Sequence, residues 1–282
     1  MRLVACGHVT LDRLGSARVP GGTAFYAART WRALGAEALV YTAAGDDFPR
    51  DALAGAALAL EPAPRTTAFE NRHLPDGRRV QRVGAAAPPL DAGRFPPAWR
   101  GADAALLGPV VGEIEPAAFA RAAGARLTGL AAQGLVRGVD PAGAVVPRPW
   151  RPAPAELAGV DVAFVGEDDL AGQAELVARL AGAIPTVVLT RGARGCEVLS
   201  SGRVCRVGIH RAREVDPTGA GDVFAAAFLL ALARGDDLLA AARLGAAAAS
   251  IAIEGLGGER LDAVAGAWDR ARRVPVEDAG GR

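Results

Sequence analysis

Residues 215–235 read VDPTGAGDVFAAAFLLALARG. The second half has a helical pattern: Phe224, Ala227, Phe228 and Ala231 share a face, and Gly235 ends it. The first half, Thr218, Gly219, Ala220 and Gly221, enters that helix with almost no side chain. Small residues let a ligand approach the backbone, and the unpaired amides of a helix N-terminus attract anions. Asp222 falls in the first turn. A carboxylate there interacts with the helix dipole, worth about 0.3–1 kcal/mol. The dipole does not explain two glycines in an opening turn, each costing about 1 kcal/mol of helix propensity. An anion hole beside a carboxylate base explains both. The amides hold developing phosphate charge, and Asp222 takes a proton from an attacking hydroxyl.

The elements that must position these residues form a βαβ rhythm. Short apolar runs at 3–6, 38–42, 104–107, 127–131, 160–165 and 186–190 read as strands buried on both faces. Helical patterns fall between them, at 23–34 (stopped by Gly35), 116–123 and 171–180. The rhythm argues for a mainly parallel sheet covered by helices. Two stretches break it. Residues 66–83 read as a polar, Arg-rich hairpin turning at Pro75-Asp76-Gly77, and residues 196–207 as a second hairpin turning at Ser201-Gly202. The first is a candidate lid or an ordinary edge hairpin. The Pro-rich stretches at 87–97 and 147–154 read as connections within one domain, and 274–282 as a frayed tail.

Composition narrows the chemistry. The chain has 282 residues, 51% of them hydrophobic, enough for a sizeable core. All 32 basic residues are arginine. Without lysine, a G-x-x-x-x-G-K-[ST] loop, a Schiff-base lysine and a protein-kinase lysine are excluded. A net charge of +1 provides no field for nucleic acid or an anionic membrane. Three cysteines without a C-x-x-C pattern fit a reduced compartment and small buried side chains. The first residues lack the apolar run of a signal peptide, and the longest apolar stretch, 223–233, is too short to span a bilayer. The expectation is a cytoplasmic protein. A Rossmann dehydrogenase is disfavoured because no G-x-G-x-x-G follows the first strand.

Asp216-Pro217-Thr218-Gly219-Ala220-Gly221-Asp222 resembles the D-T-x-G-A-G-D signature of the ribokinase (PfkB) family of carbohydrate kinases. Supporting segments follow in the expected order over roughly residues 3–258. The resemblance implies a ribokinase-like three-layer α/β/α sandwich, one domain over 1–282, with a small β lid that includes about 64–84. It implies ATP-dependent phosphorylation of a hydroxyl, with Asp222 as base, Gly219, Ala220 and Gly221 as the anion hole, and Mg²⁺ accompanying ATP. It gives Asp12 and the di-glycine Gly21-Gly22 to the substrate. Read alone, Asp12 is a turn residue and Thr23 a helix cap. Gly45-Asp46-Asp47 also fits the family. Thr190, Gly192 and Gly195 match its nucleotide loop, and Asp216 and Thr218 belong to the same cofactor site; Arg191 or Arg194 beside that loop either meets phosphates or is simply solvated. VGEDDL stands where the family has N-x-x-E. Gly166 replaces Asn and Asp169 replaces Glu, leaving Glu167 and Asp169 to orient hydrated Mg²⁺.

Patches at 21–24, 66–68, 81–89, 107–114 and 215–222 resemble the inositol kinases of that family. This makes myo-inositol or a related cyclitol the first expectation for the substrate. A sugar or nucleoside kinase is the alternative, with Phe25 and Tyr26 available for base stacking if they face the pocket. A non-catalytic ligand-sensing homologue is an alternative of another class. The lid strands of this family often pair between subunits, so a homodimer through the lid and a monomer both stay open.

Overall fold

Short Val, Leu and Ala runs in a parallel sheet require cover on both faces. The computed structural model, which describes residues 1–14, 16–73, 79–173 and 175–277, supplies that cover. Among the described residues, parallel strands run in the spatial order Ala57–Pro62, Glu37–Ala44, Arg2–Cys6, Ala104–Leu107, Thr128–Ala131, Val162–Gly166 and Thr186–Thr190. Antiparallel strands Cys196–Ser200, Arg203–Val207 and Val276–Glu277 extend the same sheet. The helices are α1 (Thr23–Ala33), α2 (Pro116–Ala123), α3 (Leu176–Ala181), α4 (Ala220–Ala233), α5 (Leu238–Ala252) and α6 (Ala267–Ala271). Side chains alternate along the first strand. Leu3 and Ala5 join an apolar cluster with α1, α4 and α5, while Val4 and Cys6 join a separate one with α2 and α3. This is the ribokinase-like α/β/α sandwich.

Helix α4 is apolar on nearly every side because it is buried from Val223 to Ala231. The Trp31 indole N–H donates to the Ala226 carbonyl at 2.8 Å and locks α1 against α4. That contact brings the starts of both helices to the C-terminal ends of the parallel strands, where ligands bind in open α/β sheets.

The lid is larger than the hairpin read from sequence. Its four-stranded sheet has the order Ala17–Gly21, Thr10–Leu14, Ala68–His73, Arg79–Ala85. The expected turn at Pro75-Asp76-Gly77 lies outside the described residues. Two expectations are corrected. Of 171–180, only the end is helical: Ala171 and Gly172 form a turn, and α3 covers Leu176–Ala181. The tail is not frayed through 277, since Val274 is fully buried and Val276–Glu277 pairs with Arg203–Val207. Residues 278–282 lie outside the described residues. No helix among the described residues is long and apolar enough to cross a membrane.

Candidate active site

The floor of the site is the start of α4. Gly219 caps the helix at φ +79°, a conformation side chains rarely adopt, and a Cβ there would lie 2.4 Å from the Tyr26 ring. Gly221 is different: nothing stands within 4 Å of where its Cβ would be. The Ala220 amide bonds the Pro217 carbonyl, and the Val223 amide bonds Gly219. The intervening first-turn amides of Gly221 and Asp222 have no helical acceptor, as in any helix.

Asp222 lies on the cleft wall, and Thr23 Oγ1 donates to its Oδ1 at 2.7 Å across 199 residues of sequence. Thr23 is therefore not the cap of α1. Gly22 holds that position at φ +86°, which frees the Thr23 hydroxyl to orient the carboxylate. Desolvation raises the Asp222 pKa to about 6, against opposing pulls from the Thr23 hydrogen bond and the Arg137 charge; Asp169 and Asp12 add smaller upward pushes. A carboxylate tuned towards neutrality suits a general base.

At one end of the cleft stand Asp12, Thr10, Gly22, Phe69 and Gln81. Asp12 accepts from the Phe69 amide at 3.3 Å, tying the two halves of the lid. Gly21 backs this wall: a Cβ on it would sit 2.8 Å from Thr10 Oγ1 and 3.1 Å from Asp12 Oδ2. The Thr10 hydroxyl is buried without a partner among the described residues. Sequence reading missed Thr10; its only signal was its place two residues before Asp12 on a strand that was not recognised. Phe25 is core and does not line the cleft, whereas Tyr26 does, as the support of Gly219.

At the other end stand Thr190, Arg191, Gly192, Arg194, Pro217 and Thr218, with Gly166 and Glu167. Gly195 lies behind the loop, where a Cβ would strike the Val207 carbonyl at 2.1 Å. Asp216 also stands behind: its oxygens accept from the Thr218 amide at 2.9 Å and the Gly257 amide at 3.0 Å, which shapes the loop.

Glu167 and Asp169 do not fit a magnesium site. Glu167 is taken by Arg191 and Arg194, and Asp169 by Arg137 at 2.7 Å. The described residues hold no group of three His, Cys, Asp or Glu placed for a metal.

The lid is anchored through His8. Its Nε2 donates to the Pro88 carbonyl at 3.0 Å, since a carbonyl only accepts, and in that tautomer Nδ1 accepts from the Thr67 hydroxyl at 2.9 Å. Thr67 Oγ1 in turn accepts from the Ala87 amide at 2.9 Å. One imidazole thus holds both feet of the hairpin formed by Ala68–His73 and Arg79–Ala85. Nearby, buried Glu113 accepts from the amides of His8, Val110 and Val111. Asp47 accepts from the Thr66 amide at 3.0 Å and from its hydroxyl at 2.6 Å.

The start of α4, an oriented carboxylate and a β lid thus share one cleft at the strand ends of a ribokinase-like fold. Residues 133–262 of the chain match the model of the pfkB family of carbohydrate kinases. It is 37% identical over 76 residues to inositol 3-kinase of Arabidopsis thaliana, a match covering 27% of this chain and 22% of that protein. Two solved structures are similar in fold. One is a pyrophosphate-dependent ribokinase-family kinase complexed with a pyrophosphate analog and myo-inositol, with TM-score 0.75, 23% identity, and 93% and 99% of the two chains covered. The other is a pyrophosphate-dependent myo-inositol-1 kinase converted by mutation into a myo-inositol-3 kinase, with TM-score 0.77, 22% identity, and 95% and 99% covered.

Proposed function

We propose that this protein transfers a phosphoryl group from ATP to a hydroxyl of a small polyol, myo-inositol or a related cyclitol first among them. The observation that carries the reading is Asp222 held by Thr23 beside the first-turn amides of α4, in a cleft of about 440 Å³. The acceptor's ring hydroxyls meet Asp12, Thr10 and the backbone at Gly22. Asp222 receives the proton of the attacking hydroxyl, and the α4 amides hold the charge on the transferring group. Lid closure excludes water and so suppresses hydrolysis of the donor. Magnesium would enter with the donor's phosphates, as that ion usually does.

A second reading of the donor is inorganic pyrophosphate. The structural relatives that use it and the arginine-lined donor end support it. The non-catalytic alternative is disfavoured by Gly221, which a scaffold would exchange for alanine with a gain in stability.

The test is turnover with ATP or pyrophosphate against myo-inositol, ribose, fructose, nucleosides and sugar phosphates, with Asp222→Asn as the blank. Turnover on myo-inositol is expected. Turnover only on another acceptor would keep the kinase and discard the cyclitol. No turnover on any acceptor by a folded protein that binds the donor would support the sensing homologue.

A further inference from the structure

Arg137 is absent from every motif in the sequence, yet it lines the cleft together with Asp222. It opens the strand Arg137–Val139, which pairs with Val145–Pro147 in a two-stranded hairpin. That hairpin is tied to the lid: the Val83 amide donates to the Gly143 carbonyl at 2.9 Å, and Arg82 bridges Ala144. The Arg137 guanidinium makes contacts on two sides. Nε and Nη2 donate to Asp169 Oδ1 at 3.1 and 2.7 Å, and Nη1 donates to Gln81 Oε1 on the lid strand at 3.3 Å.

Asp169 is nearly buried, its side chain 9% exposed, whereas that of Arg137 is 27% exposed. The arginine lines the main cleft with Asp222 and also a side cavity of about 190 Å³, shared with Gln81, Pro147 and Asp168. A side chain between two spaces can swing without repacking the core. The other arginines of the cleft, Arg191 and Arg194, are held at the donor end by Glu167. Arg137 thus combines a link to the lid, an effect on the Asp222 carboxylate and room to move.

We propose that Arg137 is a catalytic residue that binds the phosphoryl group in transit, and that Asp169 positions its guanidinium instead of holding a metal. This rests on the phosphoryl-transfer reading above. In the step, the acceptor O–H gives its proton to Asp222 and its oxygen bonds to phosphorus. The bond from phosphorus to the donor's bridging oxygen breaks, and that electron pair leaves on the oxygen of the departing ADP, or of phosphate where pyrophosphate is the donor. Charge on the non-bridging oxygens meets the α4 amides on one side and the planar guanidinium on the other, whose paired N–H groups match such oxygens. Through Gln81 the arginine reaches this geometry when the lid is down over an acceptor.

The experiment is steady-state kinetics of the full chain and of Arg137→Gln, Arg137→Lys and Asp169→Asn, over pH and over Mg²⁺ concentration. Thermal melts verify folding. Arg137→Gln is expected to lower kcat by about 10²–10³-fold, as loss of a transition-state donor does, and to move the acid limb of kcat to higher pH. Arg137→Lys keeps the charge and should keep the limb while losing about tenfold in kcat through the lost bidentate geometry. Asp169→Asn should lower kcat without raising the Mg²⁺ needed for half-maximal rate. The Asp169→Asn, Arg137→Gln double variant should be no worse than Arg137→Gln alone. Wild-type kcat and an unmoved acid limb in Arg137→Gln would overturn the proposal, as would a raised Mg²⁺ requirement in Asp169→Asn. If Arg137→Gln does not fold, a wild-type kcat in Arg137→Lys overturns it as well. A wild-type protein that transfers no phosphoryl group overturns the underlying reading, and this inference with it.

Discussion

Gly221 adopts a helical conformation with open space where a Cβ would stand, so alanine there should strengthen α4 by about 1 kcal/mol. The account gives that space to a phosphate. Gly221→Ala should therefore melt a few degrees higher and lose at least about 100-fold in turnover, the scale of one lost anion-hole contact. A stabler protein with full activity would remove the α4 start from the mechanism. Asp222 gives a second test without any substrate. Its carboxyl is lifted from 3.8 to about 6, so the folded state binds the proton more tightly than the unfolded state does. Stability is present at low pH and falls as pH rises from about 4 through 6. Asp222→Asn removes this penalty. It should raise stability at pH 7.5 by no more than about 3 kcal/mol at 1.4 kcal/mol per pKa unit, seen as a higher Tm, and leave Tm at pH 4 nearly unchanged. Melting curves at the two pH values decide it, and an equal shift at both would place the effect elsewhere than in ionisation.

The lid turns on a few buried polar atoms. Thr67→Val keeps the shape but leaves the Ala87 amide and His8 Nδ1 without their partner. Unsatisfied buried groups cost about 1–3 kcal/mol. The variant should lose stability of that order and exchange amide hydrogens of 68–73 and 79–85 faster. Unchanged exchange there would mean that the two feet are held by packing alone. The sheet strands were legible because strands buried on both faces are short unbroken apolar runs, as at Ala104–Leu107. The strand Thr10–Leu14 was not, because its polar residues are paid for by pairing with Ala17–Gly21 and by the bond of the Leu11 amide to Thr67, a partner 56 residues away. The shortened α3 was hidden for a similar reason. Residues 167–170 form a separate 3₁₀ turn, with Asp169 drawn to Arg137 by an ion pair that no local pattern records.

At the scale of the whole molecule, the sandwich aligns what the sequence separates. α1 and α4 meet through Trp31, and the Thr23 hydroxyl thereby reaches Asp222. Residues 217–222, singled out from the sequence, line the cleft, since glycine and aspartate in a helix's first turn have a local reason to be there. The walls had no such reason: Thr10, Gln81 and Arg137 acquire their places only when the lid, the side hairpin and the sheet come together. The 32 arginines stay charged at all working pH, and the acid limb of activity should follow Asp222 as the base and lie near pH 6. The most direct measurement is phosphorus NMR of the wild-type protein and Asp222→Asn, each incubated with myo-inositol and either ATP or pyrophosphate. The account predicts a new phosphomonoester resonance from the wild type and a rate about 10²–10⁴-fold lower from the variant. Equal phosphomonoester from both proteins would contradict the assignment of Asp222 as the base on which the account rests.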